Sequence, residues 1–416
     1  MMKTAIKNRL SKDSIIYMVT RFLWQLYKKV IWGGVFGFIF NLVPINKRKI
    51  VVSNFNGRGY GDSPKAIVDS LIKKNSELDI VWLLDDENFD SAVLPKNVRR
   101  VRNGSLHGLY ELATAKIWID NTRKLFAPKK RKGQFYVQTW HCGIGLKKSE
   151  GDSVDVLPKS YIKIAKQDSK NIDLLTSSSR WESDFYRRAF WYDGKILERG
   201  IPRSDILVTP SKHADISKKV RIDLGVGDNK KIVLYAPTFR IDSDEDKADD
   251  ISDLECYRLD TEKIKRTLSK RFGGNWICAV RLHPNIVAKA SKLSLKNVID
   301  CSKYPDVNEL LIASDVVITD YSSLIFDFGY MKKPGFLFAT DIKGYANLRG
   351  WLFNLHSLPF VLAESNDELA QNIKNYDEKV YRKTLIAFYN ELGLNETGKS
   401  TEYVVNEILE RINEKK

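Results

Sequence analysis

The sequence predicts an α/β protein built from two Rossmann-like domains in series, preceded by a helical, membrane-associating segment. Three observations support this fold class. Short β-branched runs alternate with helix-like stretches in residues 49–205, and the alternation begins again in residues 206–385. Such alternation is typical of parallel sheets covered by helices on both faces. An apolar, aromatic stretch lies ahead of both series, within residues 1–48.

Length and composition agree with two domains and restrict the partners. The chain has 416 residues, of which 43% are hydrophobic and 29% charged, enough for two domains with full cores. The net charge of +16 predicts a polyanion or an anionic surface as partner. No zinc-finger spacing, RNP-like motif or basic helix accompanies it, so nucleic acid is not expected. Four scattered cysteines, without metal-ligand spacing, predict a reducing compartment and no structural zinc.

The N-terminal segment is predicted to associate with a membrane surface. Its charge-free run between Lys29 and Lys47 has 17 residues, at the lower edge of the ~17–25 that span a bilayer. Glycines and a proline inside the run weaken a spanning helix. An interfacial or re-entrant anchor, with its basic flanks on anionic lipid, is therefore expected. A transmembrane helix and a helix packed on the protein remain the alternatives.

The first series contains six predicted strands and a glycine-rich turn. The strands fall at residues 49–55, 79–84, 97–101, 116–120, 134–140 and 172–179. The turn at residues 57–61 lacks the GxGxxG spacing of a dinucleotide site. Its glycines indicate either a close approach of backbone to a ligand or a tight turn. A helix is expected to follow from Pro64.

The second series contains five predicted strands and is followed by helices. The strands fall at residues 231–240, 275–282, 297–301, 316–319 and 334–339. An acidic run at residues 243–250 has no periodicity and predicts a loop. Residues 386–416 have a helical pattern, and we expect these helices to return to the first domain and brace it.

One stretch of the second series, ITDYSSLIFDF at residues 318–328, combines a strand end with a helix start. The strand is predicted to end at Thr319, and the helix to run from Ser322 or Ser323 to Lys332 or Lys333. A helix start presents unsatisfied N–H groups and partial positive charge, which suit a phosphate. The two serine hydroxyls would add donors, or would only cap the helix.

Five blocks of sequence, in order along the chain, resemble one enzyme family. They are NGRGYGDSPKAI (56–67), QTWHCGIGLKK (138–148), YAPTFR (235–240), RLHPN (281–285) and YPDVNELLIASDVVITDYSSLIFDFGYMKKP (304–334). The family is that of the CDP-glycerol glycerophosphotransferases, which build or prime teichoic-acid-type polymers. The resemblance implies a GT-B arrangement of the two Rossmann-like domains. It also implies transfer of glycerol phosphate, or a related polyol phosphate, from CDP-glycerol or CDP-ribitol with release of CMP.

The resemblance further implies where the reaction takes place and what accepts the phosphate. The acceptor would be a lipid-linked, polyanionic or glycan molecule of a teichoic acid or capsule-type polymer. The enzyme would lie on the cytoplasmic face of the bacterial membrane as a peripheral protein. No DxD pair lies at a predicted strand end, so we expect neither a cofactor nor an obligatory metal ion.

Site residues are implied by the same resemblance. His141 matches the family's characteristic histidine and is expected to be the general base, although a histidine beside Trp140 would otherwise be taken as a buried, hydrogen-bonded residue. His283 matches the second histidine and is expected to offset charge on the diphosphate or the leaving CMP. The expected substrate contacts are Gly57, Gly59, Lys147, Thr238, Arg240, Arg281, Glu309, Thr319, Asp320, Ser322, Ser323 and Arg349.

Several of these residues also have structural interpretations. Arg281 would brace a strand end, and Arg349 would lie on the surface. Glu309 would hold ribose hydroxyls or, with Asp306, cap a helix. In parallel sheets the carboxyl ends of the strands share one edge, so we expect most of the set to meet in an interdomain cleft.

The sequence departs from the family pattern after His141. Many members have His-Gly-Thr, whereas this chain has His141, Cys142 and Gly143. This implies retained activity with a changed acceptor or polyol preference, and Cys142 is expected to be a small packing residue. Two other functions remain open: a GT-B glycosyltransferase that uses a nucleotide sugar, and a basic, membrane-bound scaffold without activity.

Overall fold

The computed structural model describes residues 34–124, 126–238, 259–282, 297–342 and 350–414. The predicted positions His283, Arg240 and Arg349 lie outside them, as does most of the N-terminal segment. Within the described residues, two parallel sheets confirm the predicted α/β fold. No helix of the described part is long and apolar enough to cross a membrane.

The first sheet has seven parallel strands in the order β3-β2-β1-β4-β5-β6-β7. They are β1 (Asn46–Ser53), β2 (Asp79–Leu84), β3 (Val98–Arg102), β4 (Ala115–Asp120), β5 (Phe135–Gln138), β6 (Leu174–Ser177) and β7 (Lys195–Glu198). The helices are α1 (Gly37–Phe40), α2 (Asp62–Lys74), α3 (Leu106–Thr114), α4 (Lys159–Asn171) and α5 (Arg180–Ala189). The strand order reverses between β1 and β4, which is the topological switch point of a Rossmann-like sheet.

The second sheet has six parallel strands in the order β10-β9-β8-β11-β12-β13. They are β8 (Lys230–Tyr235), β9 (Asn275–Val280), β10 (Val298–Asp300), β11 (Val316–Thr319), β12 (Gly335–Phe338) and β13 (Leu362–Ala363). The helices are α6 (His213–Leu224), α7 (Thr261–Phe272), α8 (Val307–Ala313), α9 (Leu324–Gly329), α10 (Asn366–Lys374) and α11 (Glu378–Glu391). Its switch point lies between β8 and β11.

The expected return of residues 386–416 to the first domain holds for the last helix only, since residues 386–391 belong to α11, which packs in the core of the second domain. The last helix, α12 (Ser400–Asn413), buries Val404, Val405, Ile408 and Ile412 in the same core as strands β1, β2 and β4 of the first sheet. Each such buried side chain contributes about 1.5–3 kcal/mol. The C-terminal helix is therefore part of the first domain's core.

The sequence missed two strands, β7 and β13. β7 (Lys195–Glu198) lies at the sheet edge, is only partly buried and has a charged residue at each end. β13 is two residues long. Neither strand has a β-branched run or a regular alternation, so neither carries a recognisable pattern.

Candidate functional site

At the second switch point, a buried carboxylate connects the ends of two strands. Asp320 is the first residue after β11 and is 2% exposed. Its carboxylate accepts hydrogen bonds from the backbone N–H of Thr238, at 2.9 and 3.0 Å, and of Tyr321, at 2.5 Å. The hydroxyl of Thr319 donates to the carbonyl of Ala236 at 2.6 Å. We call the pair of Asp320 and Thr238 the carboxylate clasp.

The serine pair follows directly on this clasp, where α9 begins at Leu324. Ser323 is the N-cap residue, yet its side chain makes no capping hydrogen bond. Ser322 accepts a bond from the N–H of Leu324 at 3.4 Å, a long distance for a cap. Capping by these hydroxyls is therefore weak at most, which leaves the phosphate interpretation open.

The helix itself is shorter than predicted. It ends at Gly329 instead of Lys332 or Lys333. Lys332 has a φ of +57°, in the left-handed region, so the backbone has left the helix before Pro334. The sequence alone did not indicate this change.

At the first switch point, two buried amides connect the strand ends. Asn121 is the first residue after β4, and its Nδ2 donates to Oδ1 of Asn54 at 2.8 Å. Its Oδ1 accepts from the N–H of Phe55 at 2.8 Å. Asn54 follows β1 and donates in turn to the carbonyl of Gly59 at 3.3 Å. We call Asn54 and Asn121 the amide clasp. Sequence reasoning missed it, although Asn54 lies near the end of the predicted strand at residues 49–55 and Asn121 directly follows the predicted strand at residues 116–120.

His141 lies beside the amide clasp, three residues after β5. Its Nδ1 is 2.9 Å from the backbone carbonyl oxygen of Asn121. A carbonyl oxygen only accepts, so Nδ1 carries the proton and Nε2 keeps its lone pair. Burial and the nearby Arg203 lower the pKa of His141, against the bond to Asn121 and the charges of Asp62 and Glu150. The imidazole is thus neutral near pH 7 and able to accept a proton at Nε2.

Trp140, the residue before this histidine, packs against a buried network of ion pairs. Trp140 has a φ of +52°, a strained value for a bulky residue. Beneath it, Arg123 is 3% exposed and donates to Glu150 at 3.1 Å and Asp168 at 3.5 Å. The Arg123 guanidinium lies 5.7 Å from the Trp140 ring centroid and 4.7 Å from that of Phe190. The network therefore supports the backbone that presents His141.

The two predicted glycine contacts differ. Gly57 has a φ of +114°, and a Cβ there would lie 2.3 Å from the backbone nitrogen of Asp85. Gly57 is thus required for the turn to pack on the end of β2, which is the tight-turn interpretation. Gly59 has a φ of +82° and open space around the Cβ position, so a ligand can approach it.

The segment after His141 reaches the second domain. Lys147 pairs with Trp351 in an antiparallel bridge, and the N–H of Leu352 donates to the carbonyl of Leu146 at 3.0 Å. The Trp351 ring lies 4.8 Å from that of Tyr321, the neighbour of Asp320. The predicted contact Lys147 is therefore connected to the carboxylate clasp through two rings in contact, which are tilted by 36°.

A buried ion triad joins the domains a second time. Arg203 lies in the 3₁₀ turn Pro202–Ile206, in the chain that connects the sheets. It contacts Asp62 of α2 at 3.2 Å and Asp327 of α9 at 2.5 Å. Burial raises the pKa of Asp327 to about 6, although Arg203 lowers it. The triad places one arginine against both domains close to His141.

Two predicted contacts have structural partners. Arg281 donates to the carbonyls of Tyr304 at 2.6 Å and Cys301 at 3.4 Å, which is the bracing interpretation. Glu309 accepts from Lys219 at 2.6 Å and from the Tyr304 hydroxyl at 2.7 Å. The helix cap is Asp306, which accepts from the N–H of Asn308 at 2.9 Å. Binding of substrate by Arg281 or Glu309 stays a prediction that would need these bonds to change.

Cys142 has the surroundings of a packing residue. Its side chain packs against the apolar layer that contains Trp140 and Phe190. Burial raises the pKa of its thiol to about 12, so the nucleophilic thiolate is scarce near neutral pH. Among the described residues, no three His, Cys, Asp or Glu side chains are grouped so that they could hold a metal ion.

Two Rossmann-like sheets in series, with polar clasps at both switch points, place the chain in the class of two-domain α/β proteins whose ligands bind at the carboxyl ends of the strands. A family model described as CDP-Glycerol:Poly(glycerophosphate) glycerophosphotransferase matches residues 35–410. The chain belongs to this family of transferases, which confirms the resemblance found in the five sequence blocks.

Individual relatives agree with the family. The teichoic acid poly(glycerol phosphate) polymerase of Staphylococcus epidermidis is 33% identical over 373 residues, covering 86% of this chain and 50% of that protein. This chain thus spans about half the length of that relative. The teichoic acid poly(glycerol phosphate) polymerase of Bacillus spizizenii is 31% identical over 388 residues, covering 89% of this chain and 94% of that protein.

Solved structures of one relative share the fold. A histidine-to-alanine variant of the wall teichoic acid polymerase TagF has a TM-score of 0.79 and 30% identity, covering 95% of each chain. A histidine-to-asparagine variant, soaked with CDPG, has a TM-score of 0.76 and 29% identity, covering 95% of this chain and 98% of that one. Both support the arrangement of two parallel sheets.

Proposed function

We propose that this chain transfers glycerol phosphate from CDP-glycerol to a hydroxyl of a lipid-linked or glycan acceptor during teichoic acid synthesis and releases CMP. Family membership supports the reaction class, and the CDPG-soaked TagF structure supports the donor. The observation that carries the proposal is the imidazole of His141. It is neutral and has its lone pair on Nε2, and the segment that follows it contacts the second domain at Lys147.

The reaction needs a base on one side and charge stabilisation on the other. Nε2 of His141 takes the proton of the acceptor hydroxyl as its oxygen attacks the phosphorus that bears glycerol. The bond from that phosphorus to the bridging oxygen breaks, and CMP leaves with the electron pair. Positioning and electrostatics dominate phosphoryl transfer, and the base contributes about 10²–10⁴-fold.

The second domain would hold the donor. Its switch point presents the carboxylate clasp, followed by the hydroxyls of Ser322 and Ser323 at the start of α9. Ligands of Rossmann-like sheets bind at this position. The diphosphate contacts that remain predictions are His283, Arg240 and Arg349.

Membrane association is part of the proposal. Around α1, the side chains of Phe38 and Leu42 are 67% and 71% exposed. The basic residues Lys47 and Arg48 follow and are exposed as well. Exposed aromatic and aliphatic groups beside cations suit the interface of an anionic bilayer. This supports a peripheral enzyme on the cytoplasmic face of the membrane, where a lipid-linked acceptor would be within reach.

The test is CMP release from CDP-glycerol and CDP-ribitol, with bacterial membrane extract as acceptor. His141→Ala should lower the rate by about 10²–10⁴-fold because the base is lost. His213→Ala is the matched control, since His213, the first residue of α6, also bonds a backbone carbonyl through its ring, from Nε2 to Ile206 at 2.9 Å. Consumption of a nucleotide sugar, without CMP release from either CDP-polyol, would favour the glycosyltransferase instead.

The CMP-release assay also tests the pH dependence of the reaction. A base must be unprotonated, so the rate should fall as the pH drops through the pKa of His141. That pKa is lowered, so the acid limb of the rate profile should lie below the ordinary histidine value of about 6.5.

Membrane association is tested by sedimentation. The protein should sediment with the membranes at low salt and be released at high salt, because salt screens the attraction between the basic residues and anionic lipid.

A further inference from the structure

The residue that holds the His141 imidazole also holds the turn next to it. The backbone carbonyl of Asn121 accepts from Nδ1 of the imidazole. The side chain of Asn121 is 0% exposed and is hydrogen-bonded at both ends, to Asn54 and to the N–H of Phe55. One residue therefore fixes the histidine with its main chain and the neighbouring strand end with its side chain.

The hydrogen bonds determine how both amides are oriented. The N–H of Phe55 can only donate, so Oδ1 of Asn121 faces it and Nδ2 faces Asn54. Asn54 must then accept with Oδ1, which turns its own Nδ2 toward the carbonyl of Gly59. This chain of donors and acceptors requires neutral amides. An aspartate at position 121 would place acceptor against acceptor.

The turn that the amides hold is strained and touches the imidazole. Phe55 and Asn56 have φ values of +44° and +58°, in the left-handed region that non-glycine residues, bulky ones above all, adopt only when the surrounding contacts hold them there. The Phe55 ring centroid lies 5.4 Å from that of His141. The bond from Phe55 to Asn121 thus keeps an aromatic wall beside the histidine.

We propose that Asn121 is the positioning residue of this enzyme, which sets the tautomer and orientation of His141, and that Asn54 is its supporting partner. The inference rests on the proposed function only where it takes His141 as the base. Asn121 acts through the histidine and the turn, so its effect should appear in the properties of the imidazole as well as in turnover.

The deciding variant is Asn121→Asp. It preserves the shape, removes the donor to Asn54 and adds negative charge beside the imidazole. A nearby carboxylate favours the imidazolium, so the pKa of His141 should rise by about one unit and the acid limb should move up with it. The kcat should fall at least tenfold, and by no more than the ~10²–10⁴-fold that a general base supplies in full, with little change in KM for the donor.

Gln134→Glu is the matched control. Gln134 is also a buried amide, and its Nε2 donates to the carbonyls of Leu112 and Ala115, at 2.9 and 2.6 Å. It lies just before β5, at the amino end of the strand, whereas His141 lies beyond the carboxyl end of the same strand. The same amide-to-acid change there should lower stability without moving the pKa of His141. Equal effects of both variants on pKa and kcat would overturn the proposal.

A measurement without turnover keeps the inference separate from the proposed function. Nitrogen and proton NMR spectra of the imidazoles, assigned with His141→Gln among only five histidines, give the tautomer and the pKa. We expect the proton on Nδ1 in the wild type and a changed pKa in Asn121→Asp. An unchanged pKa in Asn121→Asp, or a wild-type proton on Nε2, would overturn the inference, whereas absent CMP release would refute only the proposed function. If Asn121→Asp does not fold, Asn54→Ala removes the acceptor of Asn121 Nδ2 without adding charge. It should change the chemical shifts of the His141 ring, because the Phe55 turn is no longer held, without the pKa rise, and unchanged shifts would overturn the proposal.

Discussion

The two switch points have the same construction and opposite chemistry. In each sheet, the first residue after the fourth strand reaches across to the end of the first strand. That residue is Asn121 in the first domain and Asp320 in the second, and the partners are Asn54 and Thr238. The first clasp is made of neutral amides and the second contains a carboxylate, although both residues are at most 2% exposed.

The difference follows from the neighbours of each clasp. The amide clasp lies one hydrogen bond from His141, where added negative charge would stabilise the protonated imidazole and remove the base. In the carboxylate clasp, the carboxylate of Asp320 accepts hydrogen bonds from the backbone N–H groups of Thr238 and Tyr321, and these bonds stabilise an anion. A buried polar connection at a strand end is therefore built from the groups that its neighbours tolerate.

The support beneath the clasps differs as well. Below His141 lies the ion network of Arg123, Glu150 and Asp168. Beside Asp320, the ring of Tyr321 packs against that of Trp351 in a tilted arrangement. The first domain should thus be sensitive to the loss of a single charge, whereas the second should be sensitive to lost hydrogen-bond acceptors and lost apolar contact.

The largest expected effect comes from Arg123→Leu. This change leaves the carboxyls of Glu150 and Asp168 buried without their cation and removes the guanidinium from the face of Trp140. Breaking a buried ion pair costs about 3–5 kcal/mol. Urea unfolding should give that decrease in the free energy of unfolding, and CMP release should fall because Trp140 positions His141.

Arg188→Leu is the control for this change. Arg188 pairs with Asp152 at 2.7 Å, but its side chain is 59% exposed. Exposed pairs contribute about 0–1 kcal/mol, so this variant should unfold nearly as the wild type does. Similar losses from both variants would mean that burial of the Arg123 network does not matter, and the contrast between the two domains would fail.

An intermediate effect is expected from Asp320→Ala. The change removes the acceptor of the Thr238 and Tyr321 N–H groups, and an unsatisfied buried donor costs about 1–3 kcal/mol. Asp320→Asn keeps one oxygen and should cost less. Urea unfolding measures both, and KM for CDP-glycerol should rise in Asp320→Ala if the clasp shapes the donor site. A cost above that of Arg123→Leu would reverse the order of sensitivity.

The smallest effect is expected from Lys219→Met. Lys219 contacts Glu309 at 2.6 Å, but its side chain is 56% exposed, so the loss should be below about 1 kcal/mol. The variant also frees Glu309 from its cation. A lower KM for the donor would support the predicted ribose contact, whereas an unchanged KM in both Lys219→Met and Glu309→Gln would remove Glu309 from the site.

The fold was largely predictable because most strands have local signals. Runs such as KIVVS and DIVWLL are β-branched and apolar, which suits strands buried on both faces. Local pattern failed where tertiary context decides. The edge strand β7 is held by pairing with β6, and α9 stops early because Lys332 adopts a left-handed backbone.

The candidate site was predictable only in part. The strand ends at His141, Thr238 and Asp320 were found because sequence blocks mark them. The amide clasp was not, since Asn121 and Asn54 are 67 residues apart and an isolated asparagine after a strand has many uses. The close packing of Gly57 on the backbone of Asp85 is likewise invisible until both strands are placed.

The position of α12 has a consequence for how the protein is made. The first sheet emerges from the ribosome early, yet Val404, Ile408 and Ile412, which complete its core, come at the far end of the chain. At ~5–20 residues per second, the roughly 200 residues between β7 and α12 take about 10–40 s to synthesise. During that interval the apolar face that α12 covers in the folded protein is open on the nascent first domain, and exposed apolar surface of this kind favours aggregation.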